Sequence, residues 1–215
     1  MKKSKKLLIV FIIILSMVAF ETIMYKLAAI LSSEPYTLSS KLDNAIPFVP
    51  GFIYAYVFWY VMIFGVPFIL YLKNKTSFYK YIVSLFISII VGFVIFIAFP
   101  TTVARPNIEV QGITSWLVKT IYLLDTPSLC CLPSMHCALC FLMIIYTCTT
   151  KEFKIIQKII ITVLSLLVVA STMLIKQHVI IDAVLALIIT LATVSIVGKF
   201  KLQGKLQEKI ETKLN

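Results

Sequence analysis

Charged side chains are scarce in this sequence: 13% of its 215 residues are charged, whereas 60% are hydrophobic. The mean hydropathy is +1.02, which excludes an ordinary soluble domain and is typical of a membrane protein. A net charge of +11 would suit a protein that binds nucleic acid. The basic residues, however, form short clusters between apolar runs and lie in no nucleic-acid-binding motif. We therefore expect the lipid bilayer, and not nucleic acid, as a partner.

Internal repeats, flexible linkers and a signal-peptide cleavage site are also missing. The first apolar run follows several lysines, as the core of a signal peptide does. No small-x-small motif follows it, however, and Glu21 and Tyr25 fit such a segment poorly. We interpret this run as a helix of the mature protein and predict one membrane domain over residues 1–200.

The cysteines do not form a recognisable metal site. Cys137 and Cys140 make a CxxC motif, yet they lie in an apolar run and no second ligand pair accompanies them. Small buried apolar residues are the better interpretation of this pair. Oxidation of Cys130 or Cys131 in an oxidising compartment is left open by the sequence.

Six apolar runs are long enough to cross a bilayer, which takes about 20 residues. The fourth is short and contains polar side chains. The runs cover Leu7–Met24, Val49–Leu72, Tyr81–Phe99, Pro133–Thr150, Ile159–Ile175 and Val179–Val197. We predict an all-α, polytopic membrane bundle with six transmembrane helices.

Two segments outside these runs have a helical periodicity of their own. In the loop between the third and fourth runs, apolar residues recur at intervals of three and four, which predicts an interfacial helix. Its apolar positions are Ile113, Trp116, Leu117, Ile121 and Leu124. In residues 201–215, lysines repeat every four positions beside an apolar stripe. This pattern predicts a basic amphipathic cytoplasmic tail, either anchored to the inner leaflet or solvated.

The basic residues fall mostly on one side of this layout. With the N-terminus inside, the other side receives only five of the 20 basic residues, namely Lys26, Lys41, Arg105, Lys119 and Lys176. The positive-inside rule favours this orientation, which predicts a cell-membrane protein with both termini in the cytoplasm. It also brings Arg105, Lys176 and the chain's two histidines, His136 and His178, to the extracytoplasmic face.

His178 and Asp182 stand one helical turn apart on one face of the last run. The carboxylate can therefore accept the Nδ1 proton of the histidine and leave Nε2 with its lone pair. An aspartate inside a span costs roughly 3 kcal/mol, and a histidine partner would explain it. A structural role is an alternative for either histidine alone, whereas the pair favours chemistry.

A possible anion site lies at the start of the fourth run. Pro133 and Ser134 suit a first-turn proline and a helix cap, and the free N–H groups there favour a phosphate beside Ser134 and His136. Arg105 offers a planar fork for phosphate oxygens, or it simply snorkels to the interface. Lys176 could add a positive charge or only cap the fifth run.

Three blocks of sequence resemble a known family. The RP pair at Arg105, the PSMH block ending at His136 and STMLIKQHVIID from Ser171 to Asp182 resemble, in order, the signature blocks of the type 2 phosphatidic acid phosphatase and vanadium haloperoxidase superfamily. The blocks span Arg105 to Asp182, and the six-run layout extends the resemblance to the whole chain.

This resemblance implies a role for each matching position. His178 would be the nucleophile that forms a phosphohistidine, Asp182 the carboxylate that orients it, and His136 the general acid. The implied phosphate-binding residues are Arg105, Ser134, Lys176 and Ser171. No metal and no cofactor are implied.

The sequence also departs from the family pattern. Ala98 stands where the first block usually has a lysine, Thr172 where the third block has an arginine, and Met135 where the second block has a glycine. Lys176 is a possible replacement for the missing cations. The reduced first block and the KQH sequence resemble inositol phosphorylceramide synthase-like head-group transferases.

The leading hypothesis is a metal-independent lipid phosphatase that hydrolyses a lipid phosphomonoester or diphosphate on the extracytoplasmic side. The alternative enzyme is a transferase that passes the phosphoryl head group to a lipid or polyol hydroxyl. A transporter with a His/Asp relay is the alternative of another class. The ionisable groups gather at one face and do not form a chain across the midplane, which argues against transport. The oligomeric state is left open.

Overall fold

The computed structural model describes residues 3–126, 128 and 131–214, and most of them are helical. The helices are α1 (Lys3–Leu31), α2 (Lys41–Ala45), α3 (Ile53–Lys73), α4 (Lys75–Ala98), α5 (Ile113–Leu124), α6 (Met135–Thr149), α7 (Ile155–Leu174), α8 (Ile180–Phe200) and α9 (Gln203–Leu214). A 3₁₀ turn covers Pro50–Phe52, and two short strands, β1 (Tyr36–Thr37) and β2 (Thr101–Thr102), pair in parallel. Cys130 lies outside the described residues.

Five helical segments are long and apolar enough to cross a membrane. They cover Ser4–Leu31, Pro50–Lys73, Lys75–Ala98, Ile155–Leu174 and Ile180–Phe200. Their outer surfaces expose large apolar side chains, such as Ile30, Val94 and Ile188, which water solvates poorly and lipid accommodates. The chain is therefore a membrane protein with an all-α bundle.

The fourth predicted run forms a shorter helix, α6, of 15 residues, about 22 Å in length. It packs against α4, α7 and α8, and Cys137, Cys140 and Leu142 are fully buried. This burial agrees with the interpretation of the two cysteines as small core residues. The number of six membrane crossings stays a prediction, because α6 is shorter than the usual transmembrane length.

Gly92 allows α4 to approach the first residue of α6. A Cβ atom at Gly92 would lie 3.1 Å from the sulfur of Met135 and 3.8 Å from Pro133. This close contact packs the start of α6, and therefore the backbone that precedes His136, against the C-terminal third of α4.

The periodic segment between α4 and α6 forms helix α5. Val118 and Ile121 are buried on one side of it, while Ile113, Trp116 and Leu124 are exposed. The exposed apolar side chains suit a membrane surface, and the interfacial location stays a prediction.

The C-terminal tail forms α9, which packs against α4. Leu206 and Ile210 contact the main core, so part of the apolar stripe faces protein. Glu211 accepts hydrogen bonds from the hydroxyls of Tyr71 at 3.2 Å and Tyr79 at 3.1 Å, and it pairs with Lys75. The tail is thus a helix that packs against the end of α3 and the start of α4. The sequence predicted a helix anchored to lipid or a solvated segment.

Candidate active site

A tight turn between α7 and α8 sets the backbone of His178. The carbonyl oxygen of Thr172 accepts the N–H groups of Gln177 at 2.8 Å and His178 at 3.0 Å. Lys176 adopts a left-handed conformation with φ of 54°, which folds the chain back over the end of α7. His178 is therefore held by backbone hydrogen bonds just before α8 begins.

Asp182 lies in the first turn of α8 with its side chain fully buried. Its Oδ2 lies 3.1 Å from Nδ1 of His178 and accepts the backbone N–H of Val179 at 3.0 Å. This is the contact that the four-residue spacing predicted. With its proton on Nδ1, His178 donates to the carboxylate, and Nε2 keeps its lone pair.

His136 faces His178 from the first turn of α6, with 5.9 Å between the ring centroids. The hydroxyl of Tyr56 lies 2.9 Å from Nε2 of His136. The ring of Trp59 packs against the same imidazole, with a centroid separation of 4.3 Å. Two aromatic side chains of α3 therefore fix the orientation of His136.

Ser134 joins the starts of α6 and α8. Its hydroxyl caps α6 by accepting the N–H of Cys137 at 3.3 Å. Its own N–H donates to the carbonyl oxygen of Asp182 at 3.2 Å. The helix start that carries His136 is thus bonded directly to the first turn of the helix that carries Asp182.

Both histidines line one cavity of about 200 Å³. Aromatic and apolar side chains of α1, α3 and α4 form much of its wall, and Glu21, Asp125 and Gln177 contribute polar groups. His178 also borders a second cavity of about 210 Å³, on the side of Asp43 and Lys176. The imidazole of His178 thus lies between two spaces that could admit substrate and water.

Arg105 is held next to this site and does not line the cavity that the two histidines share. Its Nη2 donates to Oε1 of Gln177 at 2.7 Å and pairs with the carboxylate of Asp125. The guanidinium also lies over the ring of Tyr122, at 4.8 Å from the centroid. Gln177 therefore links the arginine to the residue that precedes His178.

Lys176 is turned away from the histidine cavity. Its ammonium group donates to the carbonyl oxygens of Asp43 at 3.1 Å and Ile46 at 2.6 Å. Asp43 in turn accepts the N–H of Ile180 at 2.8 Å, which caps α8. Partial burial would raise the pKa of Asp43, but the hydrogen bonds from Ile180 and Ser40 hold it below its usual value.

Ser171 contributes to neither cavity. It is fully buried, and its hydroxyl donates to the carbonyl oxygen of Val168 at 2.6 Å. The neighbouring Thr172 hydroxyl likewise donates to Val169 at 2.8 Å. Of the seven predicted site residues, the structure brings four together, namely His136, His178, Asp182 and Ser134. Arg105 is linked to this group through Gln177, the residue before His178. The side chains of Lys176 and Ser171 point to other partners.

Sequence reasoning missed four residues that shape the site, namely Tyr56, Trp59, Asp125 and Gln177. The two aromatic residues have the spacing of ordinary core positions in an apolar helix, so the pattern did not distinguish them. Asp125 carried a signal, since an acidic residue follows an amphipathic segment beside the first signature block. Gln177 is the central residue of the KQH sequence.

The described residues contain no group of three or more histidine, cysteine, aspartate or glutamate side chains that could hold a metal ion. The titratable groups that the structure brings together at the cavity are an oriented pair of imidazoles. One imidazole has a free Nε2 beside a buried carboxylate, and the other has a nitrogen that can exchange a proton with bound substrate.

Comparison with known proteins identifies one family. The family model of the PAP2 superfamily matches residues 37–196, which include both histidines, Asp182 and most of the bundle. No curated protein and no solved structure matches the chain.

Proposed function

Because the chain belongs to the PAP2 superfamily, a superfamily of membrane phosphatase-type enzymes, we propose that it hydrolyses a lipid phosphomonoester or diphosphate through a phosphohistidine on His178. The observation that carries this proposal is the arrangement of three side chains. His178 bonds Asp182 through Nδ1 at 3.1 Å and faces His136 across 5.9 Å in a cavity that opens among apolar helices.

The first step transfers the phosphoryl group to the enzyme. Nε2 of His178 attacks phosphorus and forms the N–P bond, while the bond between phosphorus and the lipid oxygen breaks. His136 gives a proton to that oxygen, so the lipid leaves as a neutral alcohol for a monoester. Asp182 stabilises the positive charge on the His178 ring during the attack.

The second step returns the enzyme to its starting state. His136, now neutral, takes a proton from water as the water oxygen attacks phosphorus, and the N–P bond breaks. Inorganic phosphate leaves, and Nε2 of His178 regains its lone pair. The negative charge of a phosphate bound between the histidines favours the protonated, acid form of His136.

Phosphate binding is assigned to the N-terminus of α6 and to Arg105. Ser134 is fully buried and lines neither cavity, so its part is to cap that helix. The first-turn N–H groups of a helix attract anions. Arg105 has one buried N–H, on Nε, with no partner among the described residues, while Nη2 is held by Asp125 and Gln177. Lys176 and Ser171, which the family resemblance also suggested, would need a different side-chain arrangement to contact phosphate.

We place the active site on the extracytoplasmic side of the cell membrane and both termini in the cytoplasm. The lysine distribution supports this orientation. The lipid bilayer is then the source of substrate, which would enter laterally from the outer leaflet.

A head-group transferase is the second candidate, because an alcohol can replace water in the second step. The observation that favours it is the absence of the two usual phosphate-binding cations at Ala98 and Thr172. A transporter with a His/Asp relay has less support, since His136, His178 and Asp182 form one cluster at the starts of α6 and α8.

The decisive experiment uses purified protein, a panel of lipid phosphates and EDTA, with and without alcohol acceptors. We expect phosphate release in EDTA, loss of release in His178→Ala and His136→Ala, and an acid-labile phosphoenzyme in the wild type only. A new phospholipid in the presence of acceptor would identify a transferase. A strict requirement for divalent metal, or near-normal turnover of His178→Ala, would refute the mechanism.

A further inference from the structure

We propose that Glu21 of α1 and Tyr60 of α3, which both line the histidine cavity, bind the part of the lipid next to the phosphate ester. The substrate class is then a lipid phosphate with a hydroxyl or N–H donor on the carbon atoms beside the ester. This proposal rests on the proposed function and adds a substrate class to it.

Glu21 is the observation that first requires an explanation. It lies within the apolar helix α1, where a carboxyl group is costly to insert, and it lines the histidine cavity. Within the described part of the chain, its carboxyl accepts no hydrogen bond and forms no ion pair. A carboxyl that served only the fold would be expected to have a protein donor.

Tyr60 of α3 offers a second polar group in the same cavity. It lines the cavity with Glu21, and among the described residues its hydroxyl also has no hydrogen-bond partner. By contrast, the hydroxyl of Tyr56, one turn away on α3, lies 2.9 Å from His136. Of the two tyrosine hydroxyls on this side of α3, that of Tyr56 contacts His136, whereas that of Tyr60 is available to a ligand.

The two helices run in opposite directions, which sets the level of the unpartnered groups. Phe11 of α1 stacks on Phe64 of α3 with centroids 5.7 Å apart. At the other end, Tyr56 bonds His136, and Tyr25 bonds Asp125 of the Asp125–Arg105–Gln177 chain that leads to His178. Moving from Tyr25 towards the start of α1 therefore corresponds to moving along α3 away from Tyr56.

Glu21 and Tyr60 each lie one helical turn, about 6 Å, from the level of the histidines in that direction. The distance from phosphorus to the first carbon atoms of a lipid is similar, because it consists of a few single bonds of about 1.5 Å each. Beyond this level along the two helices the wall becomes apolar, with Val18 of α1 and Ile63 of α3, and suits the hydrocarbon chain. A lipid with its phosphate between the histidines thus presents its ester-proximal carbon atoms to Glu21 and Tyr60.

The chemistry of these two groups defines the substrate. A carboxyl oxygen accepts a hydrogen bond from a hydroxyl, an amine or an amide N–H. A lipid whose neighbouring oxygen atoms are all esterified or methylated offers no donor and leaves the carboxyl unpaired on binding. Leaving a buried hydrogen-bonding group unpaired changes the rate by roughly ten- to a hundredfold, so this contact would dominate substrate choice.

The test compares substrates that differ only in the donor. One pair is a 1-alkylglycerol 3-phosphate and its 2-O-methyl ether, and the other is a long-chain base phosphate and the alkyl phosphate of equal chain length. We expect the wild type to favour the donor-bearing member in kcat/KM by at least about tenfold. Glu21→Met should reduce this ratio to about threefold or less while retaining turnover of the donor-free member.

Tyr60→Phe provides a second, milder variant if Glu21→Met inserts poorly, and it should lower turnover of the donor-bearing lipids. Glu34→Met removes an exposed carboxyl outside the cavity and should leave the ratio unchanged. A ratio near one in the wild type for both pairs, or equal losses on both members in Glu21→Met, would overturn the proposal. The two pairs separate a glycerol hydroxyl from a sphingoid-type amine and hydroxyl as the source of the donor.

Binding measurements separate this proposal from the proposed function. Thermal stabilisation of His178→Ala by the 1-alkylglycerol product and by its 2-O-methyl ether reports on the Glu21 site without turnover. Preferential stabilisation by the hydroxyl lipid, lost in the Glu21→Met double variant, supports the site even if no lipid phosphate is hydrolysed. Hydrolysis without any such preference supports the function and overturns the site.

Discussion

The hydroxyl of Tyr56 lies 2.9 Å from Nε2 of His136, and the two residues come from helices that are far apart in the sequence. In the proposed mechanism this contact at Nε2 leaves Nδ1 of His136 for proton transfer to substrate. We therefore propose that Tyr56 is a positioning residue that acts on the reaction through the imidazole of His136.

Tyr56→Phe should lower kcat about five- to tenfold with little change in KM, since the phenyl ring keeps its packing and only the hydroxyl is lost. The pH profile of kcat should also shift, because the hydrogen bond stabilises one protonation state of His136. Tyr54→Phe is the matched control on the same helix, where the hydroxyl bonds only Thr114 of α5. An unchanged pH profile in Tyr56→Phe would indicate a purely structural tyrosine.

Asp182→Asn tests the orientation of the nucleophile. The amide keeps the shape of the carboxylate, but its NH₂ group can donate to Nδ1 of His178 and favour the wrong tautomer. We expect kcat to fall by roughly 10²- to 10⁴-fold, with loss of the phosphoenzyme. Thermal unfolding should be recorded alongside, because Asp182 also accepts the N–H of Val179. Normal turnover in a folded Asp182→Asn protein would contradict the assigned role.

Asp125→Asn tests whether Arg105 is available to substrate. The carboxylate of Asp125 neutralises the guanidinium, so its removal should free Arg105 for phosphate and lower KM several-fold. Arg105→Lys should raise KM, because a lysine cannot reproduce the planar fork. Measurements of KM for one lipid phosphate at two ionic strengths check both variants. If Asp125→Asn leaves KM unchanged while Arg105→Lys only reduces stability, the arginine is structural.

The parts of the fold that could be predicted are those that depend on local pattern. Long apolar runs predicted the helices that can cross a membrane, and the three- and four-residue spacing predicted α5. The packing of α9 against α4 could not be predicted in this way, because it depends on the tyrosines of α3 and α4 that meet Glu211. The four-residue periodicity of the tail predicts an apolar stripe, but it does not show which surface packs against that stripe.

The same distinction applies to the site. The His178–Asp182 contact was predicted from the four-residue spacing. His178 nevertheless precedes α8, and the turn after α7 places its ring beside Asp182, which helical periodicity could not show. The directions of Arg105 and Lys176 depend on Asp125 and on the carbonyl groups near α2, which are tertiary neighbours. A cation in a signature block therefore indicates a position in the fold, whereas its side chain can be directed to another partner.

Glu211 provides a test of the α9 contact that is independent of catalysis. Burial would raise the pKa of this carboxyl, but hydrogen bonds from Lys75, Tyr79 and Tyr71 hold it below its usual value of 4.5. A lowered pKa in the folded state means that the carboxylate stabilises the fold above about pH 4.5 and that this contribution disappears as the pH falls through the folded value.

Glu211→Gln should therefore lower the free energy of unfolding at neutral pH by about 1–2 kcal/mol, which a lower thermal unfolding temperature would report. It should also flatten the dependence of stability on pH below about 4.5. Glu208→Gln on the same helix removes an exposed carboxyl and serves as the control. Turnover of lipid phosphate should remain near that of the wild type in both variants, because α9 lies at the opposite end of α4 from the histidine cavity. Equal unfolding temperatures for the two variants across pH 3–8 would show that Glu211 does not hold α9 in place.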